Sequence, residues 1–238
     1  MGDVCRYAVV TGANKGIGFE TVKQLAKTGV TVVLTARNEK RGMEATSLLN
    51  EQGLSNVVFH QLDVQDARSI ESLAKFIQTQ YGRLDILVNN AGASGVVVDE
   101  DVLRALNVDP EDWRVPNEER RKELGDVENL TEDKIDKILQ NFLHDLKQDA
   151  LEVNGWQMML PAYSISKVSL NAYTRILARK YPKMCINCVH PGYVNTDINW
   201  HIGTMPVEEG AEGSVMLALL PDEGPTGCYF DRTVVDEF

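Results

Sequence analysis

Tyr163 and Lys167 stand four apart in Tyr163-Ser164-Ile165-Ser166-Lys167, and Leu170, Tyr173, Thr174 and Leu177 continue a helical pattern that ends before Pro182. That spacing puts both side chains on one helix face. A free tyrosine titrates near a pH of about 10, so it serves as a general acid–base only where its anion is stabilised. A lysine ammonium one turn away supplies that stabilisation electrostatically. A core tyrosine beside a surface lysine has the same spacing, so the pair needs supporting features elsewhere.

The second candidate is Thr11-Gly12-Ala13-Asn14-Lys15-Gly16-Ile17-Gly18, set between the apolar run Tyr7-Ala8-Val9-Val10 and a helical pattern from Phe19 onward. A glycine-rich turn between a buried strand and a helix lets the backbone approach a phosphate, whose charge the helix N-terminus then holds. The spacing is the wide G-x-x-x-G-x-G and not G-x-G-x-x-G, and a plain strand–helix turn also needs glycines. Position is the stronger signal. Gly12, Asn14, Lys15, Gly16, Ile17 and Gly18 are therefore the expected cofactor contacts of this turn.

The third candidate is Arg37, in Thr35-Ala36-Arg37-Asn38. An NAD site places Asp or Glu about 20 residues beyond the glycine turn, where it accepts hydrogen bonds from the ribose hydroxyls. A guanidinium there pairs instead with a 2′-phosphate, and Lys15 adds a second cation. A merely solvated Arg37 is the competing reading. The pattern favours NADP(H).

Alternating strands and helices must position these groups. After the first strand comes a helix from about Phe19 to Lys27, stopped by Gly29. Thr31–Thr35 reads as a strand, about Arg41 to Gln52 as a helix, and Val57–Phe59 as a strand ending near Leu62-Asp63. Ile70, Leu73, Ala74 and Ile77 predict an amphipathic helix over about Ala67 to Gln80, followed by a strand at Leu84–Val88. The alternation implies an α/β fold, a Rossmann-type doubly wound parallel sheet with helices on both faces. Ligands of such sheets bind at the carboxyl ends of the strands, where Arg37, Asp63 and Asn90 fall.

Composition narrows the partners. With 35 acidic and 24 basic residues the chain carries a formal charge of -11, which disfavours nucleic acid and anionic membranes. No apolar run is long enough to span a bilayer, and the first strand begins too early to leave room for a signal peptide. A cytoplasmic setting is expected, and residues 1–238 are read as one domain. Cys5, Cys185, Cys188 and Cys228 fit reduced thiols. Cys185-x-x-Cys188 lies in a strand-like run, Met184 to Val189, and lacks partners for a metal site, so buried structural cysteine is expected. No metal ion is expected either. Asn129-Leu130-Thr131 has no role as a glycosylation sequon in a protein that is not secreted.

Taken together, Thr11–Gly18, Asn89–Gly92, Tyr163-x-x-x-Lys167 and Pro191-Gly192-Tyr193-Val194-Asn195-Thr196 resemble the short-chain dehydrogenases/reductases in order and placement. The charged segment Val115–Asn154, within a helical insert over 113–160, and the ending from Glu208 to Phe238 resemble the carbonyl-reductase-like plant branch with menthone, neomenthol and salutaridine reductases. The resemblance implies that Asp63 and Val64 flank the adenine, that Asn90 lies by the adenosine ribose, and that Lys167 holds the nicotinamide ribose. It further implies that Val194 and Thr196 receive the carboxamide and that Tyr163 protonates a carbonyl oxygen. One relative in this branch reduces an enone double bond and has a different residue at that place, so a tyrosine favours C=O reduction.

One part of the family pattern is missing. Between the strand at Leu84–Val88 and the Tyr163 helix the family has a helix carrying an asparagine, then a strand ending in a substrate-binding serine. Neither is recognisable here. Val96-Val97-Val98 comes too early to be that strand, and residues 115–155 are dominated by charge. One amphipathic helix, about Glu132 to Lys147, shows a stripe of Ile135, Ile138, Leu139, Phe142 and Leu146 with Thr131 as its N-cap. A βαβ unit takes about 30 residues or more, and one is expected to be absent around Trp113-Arg114, leaving the sheet without its central strand. Ser164 and Ser166 point elsewhere, and Ser94, just after the Asn-Ala-Gly turn, is the weaker alternative for that serine. The expected function is NADPH-dependent reduction of a small-molecule ketone or aldehyde by a monomer. The alternative is a chain that binds cofactor but has lost turnover, as an isoform or a regulatory module.

Overall fold

A computed structural model describes residues 5–93, 122, 124–126, 128–156 and 160–236. They fall into two compact units, residues 1–93 with 191–219 and residues 94–190 with 220–238. Ser94, Val96-Val97-Val98 and Trp113-Arg114 lie outside the described residues.

The first unit alternates β1 (Tyr7–Val10), α1 (Gly16–Lys27), β2 (Thr31–Ala36), α2 (Glu39–Glu51), β3 (Val57–Gln61), α3 (Ala67–Gln80) and β4 (Ile86–Val88). Its sheet is parallel throughout, in the order β3-β2-β1-β4. Successive residues of a strand face opposite sides, and β1 shows this directly. Ala8 and Val10 pack with Val22, Leu25, Ala45 and Leu49 of α1 and α2, while Val9 packs with Leu73 and Ile77 of α3. The expected two-faced sheet is present. A further helix of this unit, Val207–Ala218, joins the α1–α2 face through Val215 and Ala218.

Several boundaries agree with the periodicity, for local reasons. α3 runs Ala67–Gln80 with Asp66 capping Arg68 N, while α2 begins at Glu39, two residues before the expected Arg41, because Asn38 caps Arg41 N. Within α3 the burial differs from the expected stripe. Ser69, Leu73 and Ile77 are buried, whereas Ile70 is 47 % exposed.

The second unit contains α4 (Glu132–Lys147), α5 (Pro161–Lys180), β5 (Cys188–His190), β6 (Tyr229–Asp231) and β7 (Val234–Asp236). In our numbering Val207–Ala218 of the first unit is α6. Thr131 caps α4 through Lys134 N as expected. Ile135, Ile138 and Phe142 pack against Ile165, Ala172 and Ile176 of α5, and Trp156 meets Phe142 edge-on while donating to Asp145 at 2.8 Å. Leu146, expected on the apolar stripe, is 46 % exposed. β5 and β6 run parallel and β6 and β7 antiparallel.

The described strands thus form two sheets and not one. Among them β4 pairs only with β1, and β5 only with β6. Leu87 is 54 % exposed although it sits in register with Val9, which is 1 % exposed.

The cysteines correct one expectation. The strand begins at Cys188, not Met184, because the Cys185 segment is held by other bonds: the Thr226 hydroxyl accepts from Ile186 N and donates to Met184 O. Cys185 is therefore exposed and Cys188 only half-buried, its thiol pushed up to about 11 chiefly by burial. All four cysteines are free thiols, as expected.

Candidate active site

The glycine turn is built by close approach. Gly12 and Gly16 both lie in the left-handed region, at φ 62° and 60°, where a side chain is strained. A Cβ on Gly12 would stand 2.8 Å from Ala91 Cα, and one on Gly18 would stand 2.3 Å from Asn90 Nδ2. The second contact explains the turn's rigidity. With no side chain at Gly18, the Asn90 amide reaches in and donates to Thr11 O at 2.9 Å and to Gly12 O at 3.2 Å. The Thr11 hydroxyl accepts from Ala91 N at 2.9 Å, and Ala13 N donates to Thr35 O. Three strand ends are thereby tied around one loop.

This loop opens onto a bare helix start. α1 begins after Lys15 with no side-chain cap and no acidic residue in its first turn. The helices α2, α3 and α4 are capped by Asn38, Asp66 and Thr131, whereas α5 and α6 also lack a side-chain cap but begin with Pro161 and with Glu208 and Glu209 in their first turns. Uncapped N–H groups carry partial positive charge and need an acceptor, and a phosphate supplies one. The residues present fit a dinucleotide: glycines that admit its backbone-hugging pyrophosphate and a helix start left open for its charge.

The other expected contacts surround the same carboxyl strand ends. Arg37 follows β2, is exposed, and among the described residues makes no salt bridge. Gln61 Nε2 donates to Arg37 O at 3.3 Å. Asp63 is fixed by Ser69, whose hydroxyl accepts from Asp63 N at 2.9 Å, and Val64 presents an apolar side chain 47 % exposed. Asn14 and Ile17 lie in the turn, and Ile17 O accepts from the Thr21 hydroxyl at 2.8 Å. Thr196 comes against the turn, 3.5 Å from where a Gly16 Cβ would lie. Val194 is buried, pressed onto Gly210, where a Cβ would be 2.5 Å from Val194 Cγ2.

Sequence reasoning missed the groups that hold this last segment. Asn199 accepts from Thr196 N at 3.1 Å and donates to Val194 O at 2.8 Å, closing a capping box over Asp197–Asn199. Asn199 stands where the usual capping-box signature has Glu or Gln, so the spacing did not announce it. Asp197 pairs with Lys15, a contact that no spacing announces.

Tyr163 and Lys167 belong to the second unit and share a face of α5, with Lys167 Nζ over the Tyr163 ring at 5.4 Å from its centroid. The expected electrostatic lowering of Tyr163 is not found. Burial raises the Tyr163 hydroxyl above its ordinary value and lowers the Lys167 ammonium below its own. Desolvation disfavours both charged forms, so the tyrosine rests as a proton donor. Ser166 spends its hydroxyl on Tyr163 O at 2.7 Å, and Ser164 is buried, in keeping with neither replacing the family's serine. Among the described residues no group of His, Cys, Asp and Glu could hold a metal ion.

The family profile described as short chain dehydrogenase matches residues 6–114. A (+)-neomenthol dehydrogenase of Arabidopsis thaliana is 41% identical, with 98% of each chain covered. Carbonyl reductase [NADPH] 3 of Mus musculus is 37% identical over 94% of each. The solved structure of salutaridine reductase from Papaver somniferum superposes with a TM-score of 0.87 at 40% identity, covering 95% of this chain and 99% of that one. The chain belongs to the short-chain dehydrogenase/reductase family. The Arabidopsis match runs over 290 aligned positions against 238 residues in this chain, so at least 52 of those positions have no residue here. Because both chains are covered nearly end to end, the shortfall is internal, and the family profile stops at Arg114, beside the expected break.

Proposed function

We propose that the chain is an NADPH-dependent reductase of ketones or aldehydes, with terpenoid or alkaloid carbonyls as its substrate class. The observation that carries this is the bare start of α1 behind the Gly12–Gly18 turn, with Lys15 beside it and Arg37 at the end of β2. Bound NADPH supplies a hydride. Arg37 and Lys15 receive its 2′-phosphate, Asp63 and Val64 flank its adenine, and Asn90 lies by the adenosine ribose. Lys167 holds the nicotinamide ribose, Val194 and Thr196 take the carboxamide, and Tyr163 gives its proton to the substrate oxygen. The raised Tyr163 supports that last role, since the donor must be neutral at working pH. The printed names of the relatives, a neomenthol dehydrogenase, a salutaridine reductase and an NADPH carbonyl reductase, support the reaction and the substrate class. None of them supports the alternative of a chain without turnover.

The test is NADPH consumption with a panel of cyclic terpenoid ketones, alkaloid enones and simple aldehydes. Turnover with at least one, together with its loss in Tyr163→Phe, is the expected result. NADPH binding without turnover on any carbonyl would overturn the reading. The chain works as a single domain and as a monomer in the cytoplasm: one calorimetric transition, a monomer mass by light scattering and a cytoplasmic fluorescent fusion are the expected outcomes. No described helix is long and apolar enough to cross a membrane.

A further inference from the structure

Lys15 is already engaged. Its ammonium pairs with Asp197 Oδ2, a residue 182 positions later, and Asp197 Oδ1 pairs with His201 Nε2 at 2.9 Å. His201 is held in turn, its Nδ1 lying 2.9 Å from Asn195 Oδ1. Bringing His201 back to this place requires two consecutive non-glycine residues, Trp200 and His201, in the left-handed region at φ 53° and 61°. Such a pair persists only where its surroundings over-determine it. The Lys15–Asp197–His201 cluster is therefore a built feature and not a chance meeting of two surface chains.

Its charge runs against a phosphate. Arg37 is exposed without a salt bridge among the described residues, whereas Lys15 carries a carboxylate on its nitrogen. The Lys15 ammonium favours the charged form of Asp197, holding its carboxyl below the usual range. A dianionic 2′-phosphate arriving at Lys15 must share the ammonium with that carboxylate or displace it. NADH has no such group and meets no such competition.

We propose that Asp197 is a specificity-tuning residue: it competes with the cofactor's 2′-phosphate for Lys15 and so limits the preference for NADP(H) over NAD(H). The inference rests on the reading that Lys15 receives the 2′-phosphate. The pair is half-exposed on both sides, which places its strength in the range of surface ion pairs. Removing the carboxylate is expected to raise the NADPH-to-NADH affinity ratio roughly two- to five-fold.

The experiment titrates NADPH and NADH into the unmodified chain, Asp197→Asn, Asp197→Ser, Lys15→Met and the double variant Lys15→Met with Asp197→Asn. Support is a raised ratio in both Asp197 variants, a lowered ratio in Lys15→Met, and no effect of Asp197→Asn in the Lys15→Met background. An unchanged ratio in Lys15→Met removes the reading on which the inference rests. If Lys15→Met lowers the ratio but the Asp197 variants leave it unchanged, or weaken both cofactors equally, the competition itself is overturned and Asp197 is a staple of the loop. An Asp197→Asn effect that persists without Lys15 overturns it too.

Discussion

The strands β2 and β7 both carry a Val-Val pair and are buried very differently. In β2 every residue after Thr31 is buried, because helices pack on both faces of a parallel sheet. In β7 all three residues are exposed, and Val234 and Val235 are 67 % and 59 % exposed. β-branched sequence makes a strand in either place, but only cover on the faces makes a core. The unit that carries the glycine turn has a packed sheet beneath it. The unit that supplies Tyr163 and Lys167 draws its core from helix packing around Phe142 and Trp156.

That contrast is sharpened most by separating chemistry from binding. Tyr163→Phe should lower kcat by about 10² to 10⁴, the range of a general acid's contribution, and leave NADPH affinity unchanged in a fluorescence titration. A parallel loss of affinity would mean that Tyr163 serves binding as well as proton transfer. The pH profile adds a sign. Tyr163 donates in its neutral form, and burial raises its pKa. Reduction should thus hold through neutral pH and fall only as pH rises through the raised value, while the reverse oxidation rises along the same limb.

The cores can be compared directly by truncation. Leu34 is fully buried in β2, so Leu34→Ala should destabilise by about 2–5 kcal/mol in denaturant unfolding. A loss below 1 kcal/mol would mean that the first sheet is not the packed one. Arg37→Asp comes next: losing a charge-assisted pair to phosphate costs about 1.5–3 kcal/mol, so the NADPH preference should fall by about 10- to 100-fold and NADH binding should gain. Equal affinities in the unmodified chain would remove the basis for NADP(H). The smallest effect belongs to the second sheet, where Val235→Ala should change stability by no more than about 0.5 kcal/mol.

Much of this was readable because it is local. The strand–turn–helix around Gly12, Gly16 and Gly18, the α4 span with its Thr131 cap, and the Tyr163–Lys167 face each depend on residues a few positions apart, so periodicity and capping specify them. The resemblance carried what spacing could not, namely the roles assigned to Asp63, Asn90, Val194 and Thr196. A gap in the family's fixed order of elements was also readable as an expectation, and the match over 290 positions against 238 residues agrees with it.

What depended on distant partners was not legible. Asn90 ties the glycine turn across 79 positions, and Lys15 meets Asp197 across 182. Cys185 reads as part of a strand, yet the bonds of Thr226 to its neighbours keep it out of one and leave it exposed. Leu87 alternates like a core residue and is exposed because cover is supplied by another element, not by its own strand. The sign of the Tyr163 shift likewise follows from how deeply α5 is buried, since desolvation outweighs a lysine one turn away. Sequence determined which groups this protein has and which short segments carry them. Tertiary structure decided which charges are already paired and which faces are covered, because both are set by residues far apart in the chain.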